Sequence, residues 1–127
     1  MSNKKHIVKT VFDEPVNFEK GSLVFNAEGT SNGIVRFNGV EFDAIEVWDM
    51  YAEGTIPTAC TNKCCVAKTD KEKHNIVGAH VLIHKSEGDI QSGQTCYIIP
   101  LCNSCNVSGP DAYIELRRDI EAIKLKW

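Results

Sequence analysis

Short runs that alternate apolar and polar residues dominate the first half of the chain. Residues 6–12, 22–26, 34–37 and 40–45 have the alternation or the β-branched content of strands, and polar stretches separate them. The last two runs flank Asn38-Gly39, a dipeptide that favours a type I′ hairpin because both residues take positive φ. Residues 46–51 continue apolar and fit either a longer strand or a short helix. We predict a small antiparallel sheet over residues 1–57, whose aromatic side chains belong to its core.

The second half gives two further strands and an ambiguous tail. Residues 76–83 and 95–99 read as strands, and the second contains Cys96, which we interpret as a buried thiol. In residues 113–127 the apolar positions recur every three or four residues, as on one face of a helix, but their alternation also suits two short strands. Pro110, with Ser108 and Asp111 as a capping pair, favours the helix.

The length and the net charge of the chain limit its domain organisation and its possible binding partners. The chain has 127 residues, enough for a single domain over 1–127, and no flexible linker separates residues 1–57 from residues 58–127. Its net charge of −3 argues against broad, non-specific duplex binding, which usually requires a basic excess. Two local basic regions could still meet phosphate: the lysines of residues 63–73, and a tail group made of Arg117, Arg118, Lys124 and Lys126.

Targeting signals and membrane spans are not evident in the sequence. No apolar run approaches the roughly 18 residues that cross a bilayer, and no apolar segment follows the charged N-terminus as it would in a signal peptide. We therefore expect a cytoplasmic protein without a membrane partner. In such a reducing compartment, clustered cysteines bind metal more often than they form disulfides.

All six cysteines lie between residues 60 and 105. Cys102 and Cys105 form a C-x2-C pair, a spacing that lets two thiolates bind one tetrahedral ion at about 2.3 Å. Cys60 can pair with Cys64 or with Cys65. Two such groups on either side of a central segment predict a four-cysteine zinc site.

The order of these motifs resembles the HNH (His-Me finger, ββα-metal) family over residues 60–106. The resemblance lies in a first cysteine group, a strand with Gly78-Ala79-His80-Val81, a second strand, and Pro100-Leu101-Cys102-Asn103-Ser104-Cys105-Asn106. Zinc-bearing members of that family form a treble clef, in which a β-hairpin follows the first cysteines and the second pair begins a helix. The implied fold class is α+β: a small N-terminal antiparallel sheet packed on a zinc treble clef with a β-hairpin and a short helix.

The resemblance also implies residue roles. His80 would be the general base that activates water for phosphodiester cleavage, and Asn106 would be a ligand of a catalytic magnesium or manganese ion. The structural zinc ligands would be cysteines 60, 65, 102 and 105, with Cys65 preferred over Cys64 because its distance from His80 is closer to the family's. The chain departs from the family at Ala79, where an Asp or His usually binds the catalytic ion.

Three hypotheses about function follow. The first is an HNH-like metal-dependent endonuclease that hydrolyses DNA or RNA. The second is a non-catalytic, zinc-stabilised module that binds nucleic acid or a protein partner. The third is an interaction protein whose sheet binds its partner. Ala79 and the acidic net charge favour the second and third, whereas His80 favours the first, so enzymatic activity stays open.

Overall fold

The strands and the one helix were located in a computed structural model, which describes residues 6–12, 14–30, 33–52, 61–62, 76–85, 88–102 and 113–127. Within these ranges the protein is mostly β. The elements in chain order are β1 (His6–Ile7), β2 (Thr10–Val11), β3 (Val16–Phe18), β4 (Leu23–Asn26), β5 (Gly33–Phe37), β6 (Val40–Phe42), α1 (Ala44–Tyr51), β7 (Ile76–Leu82), β8 (Thr95–Cys102), β9 (Tyr113–Glu115) and β10 (Ile120–Lys126).

The larger sheet joins both halves of the chain. Its strands pair in the order β2–β10–β8–β7–β4–β9, and β3 also pairs with β10. The antiparallel pair of β7 and β8 is the longest contact, running from Ile76 opposite Cys102 to Val81 opposite Tyr97. Strand β10 binds β8 on one side, and β2 and β3 on the other.

The larger sheet curls on itself. Strands β3 and β4 are joined by a short turn at Gly21, whose φ of +88° suits glycine. Because β3 pairs with β10, this turn connects β4 to β10. The sheet order β10–β8–β7–β4 connects the same two strands by a second route. The rings of Phe18 on β3 and Tyr97 on β8 lie 5.1 Å apart although β10 separates their strands. The concave face therefore encloses a core of its own, the inner core. Its buried members are Val24, Ala79, Val81, Ile99, Leu101, Cys102, Ile114, Leu116 and Ala122.

Helix α1 and a three-stranded sheet cover the opposite, outer face. Asp43 caps the helix: its side chain accepts from the backbone N–H of Glu46, and the Glu46 side chain accepts from the Asp43 N–H. The Trp48 indole donates to the backbone carbonyl of Glu121 over 2.8 Å. A Cβ on Gly78 would lie 2.5 Å from the backbone of Ala44, so only glycine lets α1 approach β7 this closely.

The small sheet has the order β1–β5–β6. The predicted hairpin at Asn38-Gly39 is confirmed: β5 and β6 pair antiparallel, and φ is 50° at Asn38 and 80° at Gly39. Residues 46–51, which the sequence left open, belong to α1. Together the small sheet and α1 enclose the outer core, whose buried members are Val8, Ala27, Val35, Val47, Trp48, Leu82, Ile90, Cys96, Ile98, Ile123, Leu125 and Trp127. Cys96 is a buried thiol as predicted, and burial raises its pKa to about 12.

The predicted α+β fold, with an N-terminal sheet packed on a treble clef, is wrong. The two halves share one sheet, because β4 pairs with β7. The one helix among the described residues, α1, precedes the first cysteine, and Cys102 is the final residue of strand β8 instead of the start of a helix. The run from Tyr97 to Cys102 is apolar almost throughout, so it is buried on both faces and extends the strand past Ile99.

The predicted helix in the tail is also wrong. Residues 113–115 form β9, and residues 120–126 form β10. The end of the chain forms a strand rather than a helix because β10 pairs with β2, β3 and β8. These partners satisfy the backbone hydrogen bonds of β10 on both edges. No helix in the described part of the chain is long and apolar enough to cross a membrane.

Candidate functional site

His80 lies on the outer face of the larger sheet, in β7 opposite Ile98. Only 8% of the residue is exposed, and its ring meets the edge of Trp127 with 5.4 Å between ring centroids. His6 stacks on the same indole at 4.2 Å, and the Nε2 of His6 lies 2.7 Å from the Trp127 carbonyl oxygen. Desolvation by burial lowers the pKa of His80 to about 4, so its ring is uncharged at neutral pH.

This position bears on the predicted role of His80 as a general base. A base must come within hydrogen-bond reach of the water that it activates, beside a phosphodiester group. The Trp127 ring covers His80, and α1 packs on the same face of β7 at Gly78. Ala79 points to the other side and is fully buried in the inner core. The catalytic role stays a prediction, but the described surroundings of His80 offer little room for a phosphate.

Cys102 is the one predicted zinc ligand whose position is described. It pairs with Ile76 at the end of β8, and none of its surface is exposed. The other predicted ligands, Cys60, Cys65 (or its alternative Cys64), Cys105 and the proposed metal ligand Asn106, lie outside the described residues. Among the residues that the structure does describe, no group of three or more metal-ligating side chains occurs.

The two residues that follow Cys60 are hydrogen-bonded to Leu116 and Arg117. Asn62 forms a bridge with Leu116, and the Arg117 backbone N–H donates to the carbonyl of Thr61 over 2.9 Å. The Arg117 guanidinium also donates to the Asn62 carbonyl. Leu116 and Cys102 belong to the same inner core. The chain next to Cys60 is thus attached to the core that contains Cys102, as a shared metal site would require, and the zinc site itself stays a prediction.

A cluster of lysines and aromatic residues lies on the inner face of the larger sheet, on strands β2, β3, β8 and β10. Lys124 and Lys126 alternate with buried Ile123 and Leu125, so both lysines point away from the outer core. Across the strand pair Lys124 lies opposite Tyr97. We call this surface the lysine–aromatic face, and its members are Phe12, Phe18, Tyr97, Lys124 and Lys126.

The aromatic rings of the lysine–aromatic face are accessible to different degrees. Phe12 is 37% exposed, and the Nζ of Lys124 lies 5.0 Å from the centre of its ring. Phe18 and Tyr97 meet edge to face and are each half-buried at the rim of the inner core. The face therefore combines two ammonium groups with ring surface that solvent reaches.

Within the described strands no carboxylate points to this face, but the exposed Glu14 lies between β2 and β3, two residues from Phe12. On β2, β3, β8 and β10 every described residue that points to the inner side is apolar, hydroxylated or a lysine: Thr10, Phe12, Val16, Phe18, Thr95, Tyr97, Ile99, Ile120, Ala122, Lys124 and Lys126. The chain as a whole has 17 acidic and 14 basic residues. Asp119 and Glu19 lie beyond Ile120 and Phe18, and Asp119 is five residues or about 17 Å along the strand direction from Lys124. The two lysines form a local positive group on an acidic protein, and Glu14 is the described carboxylate closest in sequence to Phe12.

Sequence reasoning found this cluster in part. It grouped Lys124 and Lys126 with Arg117 and Arg118 as a basic tail, but on a helix, and it assigned the N-terminal aromatics to the core. The alternation Ile-Glu-Ala-Ile-Lys-Leu-Lys was the available signal, since it places both lysines on one side of a strand. The contribution of Phe12 required the pairing of β2 with β10, which local patterns do not give.

No protein-family model matches the chain, and comparisons with curated proteins and with solved structures found no match.

Proposed function

We propose that this protein is a non-enzymatic binding protein that holds nucleic acid on the lysine–aromatic face. The observation that carries the proposal is the concentration of Lys124 and Lys126 among aromatic rings, on a face to which the described strands point no carboxylate, in a chain of net charge −3. Ammonium groups bind phosphate oxygens, and these contacts position a nucleic acid without reading its sequence. A protein partner is less favoured because two neighbouring lysines beside aromatic rings match a polyanion better than an average protein surface.

The proposal separates binding from hydrolysis. His80 points to the outer face, whereas Lys124 and Tyr97 point to the inner face, so a strand bound on the lysine–aromatic face cannot approach His80. Together with the covering Trp127 and the absence of a metal-binding side chain at Ala79, this placement favours the non-catalytic hypothesis over the endonuclease hypothesis.

Zinc enters the proposal as a structural ion. Cys102 would hold it together with Cys60, Cys105 and either Cys64 or Cys65; the spacing of the cysteines predicts this site, and the family resemblance favours Cys65. The complete burial of Cys102 at a strand end fits such a ligand, because structural zinc sites are closed to solvent. When bound, the ion would cross-link the chain on either side of the β7–β8 pair and contribute to folding rather than to chemistry.

The first experiment is fluorescence anisotropy with a labelled oligonucleotide over a range of salt concentrations. Two lysine–phosphate contacts predict a slope of log K against log salt of about −1.4, so affinity falls about sevenfold between about 50 and about 200 mM salt. The double variant Lys124→Gln/Lys126→Gln should bind more weakly and lose most of this slope. The matched control, Arg36→Gln/Lys85→Gln, removes the same charge from exposed positions elsewhere and should retain wild-type affinity and slope.

Two results would overturn the proposal. Equal losses in the lysine variant and in its control would show that only net charge matters. Cleavage of the oligonucleotide with magnesium or manganese, abolished by His80→Ala in a folded protein, would establish the endonuclease instead.

A further inference from the structure

We infer that the lysine–aromatic face takes single-stranded rather than duplex nucleic acid, with unpaired bases stacked on its rings; this inference rests on the proposed function. The surface offers two kinds of contact side by side. Lys124 Nζ and the Phe12 ring are 5.0 Å apart, so one nucleotide can meet an ammonium group with its phosphate and a ring with its base. Stacking tolerates any base because each has a π-face.

In the described part of the chain, the elements that usually enter a duplex groove lie away from this face. Base edges in double-stranded DNA are reached by an element that enters a groove, most often a helix or a two-stranded ribbon. The helix α1 packs against the opposite face of the sheet, where the absence of a side chain at Gly78 leaves room for it. The rings of Phe18 and Tyr97 lie on the concave side at the rim of the inner core, where the bases of a closed duplex cannot turn outward to meet them.

The most accessible ring gives the sharpest variant. Phe12 follows β2 and is 37% exposed, so Phe12→Leu removes the aromatic face while keeping an apolar side chain at a site that contributes little to the core. Tyr113 supplies the matched control. It is 59% exposed on β9, where its neighbour Ile114 points into the inner core, so Tyr113 faces the outer side. Tyr113→Leu removes an exposed ring without touching the lysine–aromatic face.

The experiment compares three probes of equal length: a single-stranded oligothymidine, the same strand with abasic sites, and a duplex. Wild type should bind the single strand at least about fivefold more tightly than the abasic strand or the duplex, because stacking one base contributes a factor of about 5 to about 150. Phe12→Leu should lose that advantage, keep the weaker affinity for the abasic strand, and keep the salt slope. Tyr113→Leu should behave like wild type.

The outcomes separate this inference from the proposed function. If the lysine variant weakens binding but wild type binds duplex and abasic strand as well as the single strand, stacking is refuted and phosphate binding stands. If Phe12→Leu and Tyr113→Leu reduce affinity equally, the ring effect is unspecific and the inference fails. If none of the three probes binds, both proposals fail, and the face is then to be tested as a site for an acidic protein partner.

Discussion

Acidification should lower the folding stability of this protein because the buried His80 resists protonation in the folded state. The folded state holds the pKa of the imidazole at about 4, against 6.5 for an unburied histidine, because burial penalises the charged form. The unfolded chain therefore binds a proton at a higher pH than the folded chain. The stabilisation is fully present above about pH 6.5, declines as pH falls, and is lost near pH 4.

The magnitude follows from the two pKa values. Their difference corresponds to about 3 kcal/mol of folding free energy when fully expressed, and about 2 kcal/mol of it is lost by about pH 5. A loss of 2 kcal/mol is a large share of the 5–15 kcal/mol typical of a domain.

The assay is urea unfolding followed by tryptophan fluorescence at several pH values between about 7.5 and about 5. Carboxylates also titrate toward the lower end, so the informative quantity is the difference in pH dependence between wild type and His80→Leu, which cannot gain the proton. His84→Gln, a change at an exposed histidine, is the control and should keep the wild-type dependence. If His80→Leu loses stability on acidification as steeply as wild type does, the imidazole is not protected in the folded state and the reasoning fails.

Three further predictions concern stability. Gly78→Ala should cost about 1–3 kcal/mol, because the new methyl would lie 2.5 Å from the backbone of Ala44; a melting temperature equal to that of wild type would show that α1 can shift freely. Asp43→Ala removes the capping box of α1 and should cost about 1 kcal/mol in chemical unfolding, whereas Asp43→Asn should cost less because Asn also caps helices well. If the cysteines hold zinc, metal analysis should find one ion per chain, and a chelator or Cys102→Ser should lower the melting temperature; purified protein without zinc, and with a melting temperature that chelation does not change, would refute the site.

Local chemistry explains which parts of the fold could be predicted. The turn at Asn38-Gly39 was recognisable because two adjacent residues determine it, and its positive φ angles are those that the dipeptide prefers. The strands over residues 23–26 and 76–82 were recognisable from β-branched content. The tail was not, since the spacing of its apolar residues satisfies two periods and its partners, β2 and β3, lie at the other end of the chain.

The fold class implied by the family resemblance was wrong for a related reason. It rested on the order of cysteines and histidine, which short motifs can reproduce, and it implied a helix beginning at Cys102. The apolar run before Cys102 instead continues as strand, because β7 offers six successive partners and both faces of the run are buried. The lysine–aromatic face could not be assembled from the sequence either. Phe12 and Lys124 meet only through the pairing of β2 with β10.

The geometry of β8 keeps the two predicted chemistries apart. Tyr97, on the lysine–aromatic face, and Cys102, the predicted zinc ligand, are five residues apart on one strand, or about 17 Å. An ion held at the Cys102 end would act on the lysine–aromatic face only through the stability of the β7–β8 pair. Chelation should therefore lower the melting temperature yet leave the dissociation constant of an oligonucleotide unchanged at temperatures where the protein stays folded. A dissociation constant that rises on chelation in the folded protein would instead place the cysteine segments within the binding surface itself.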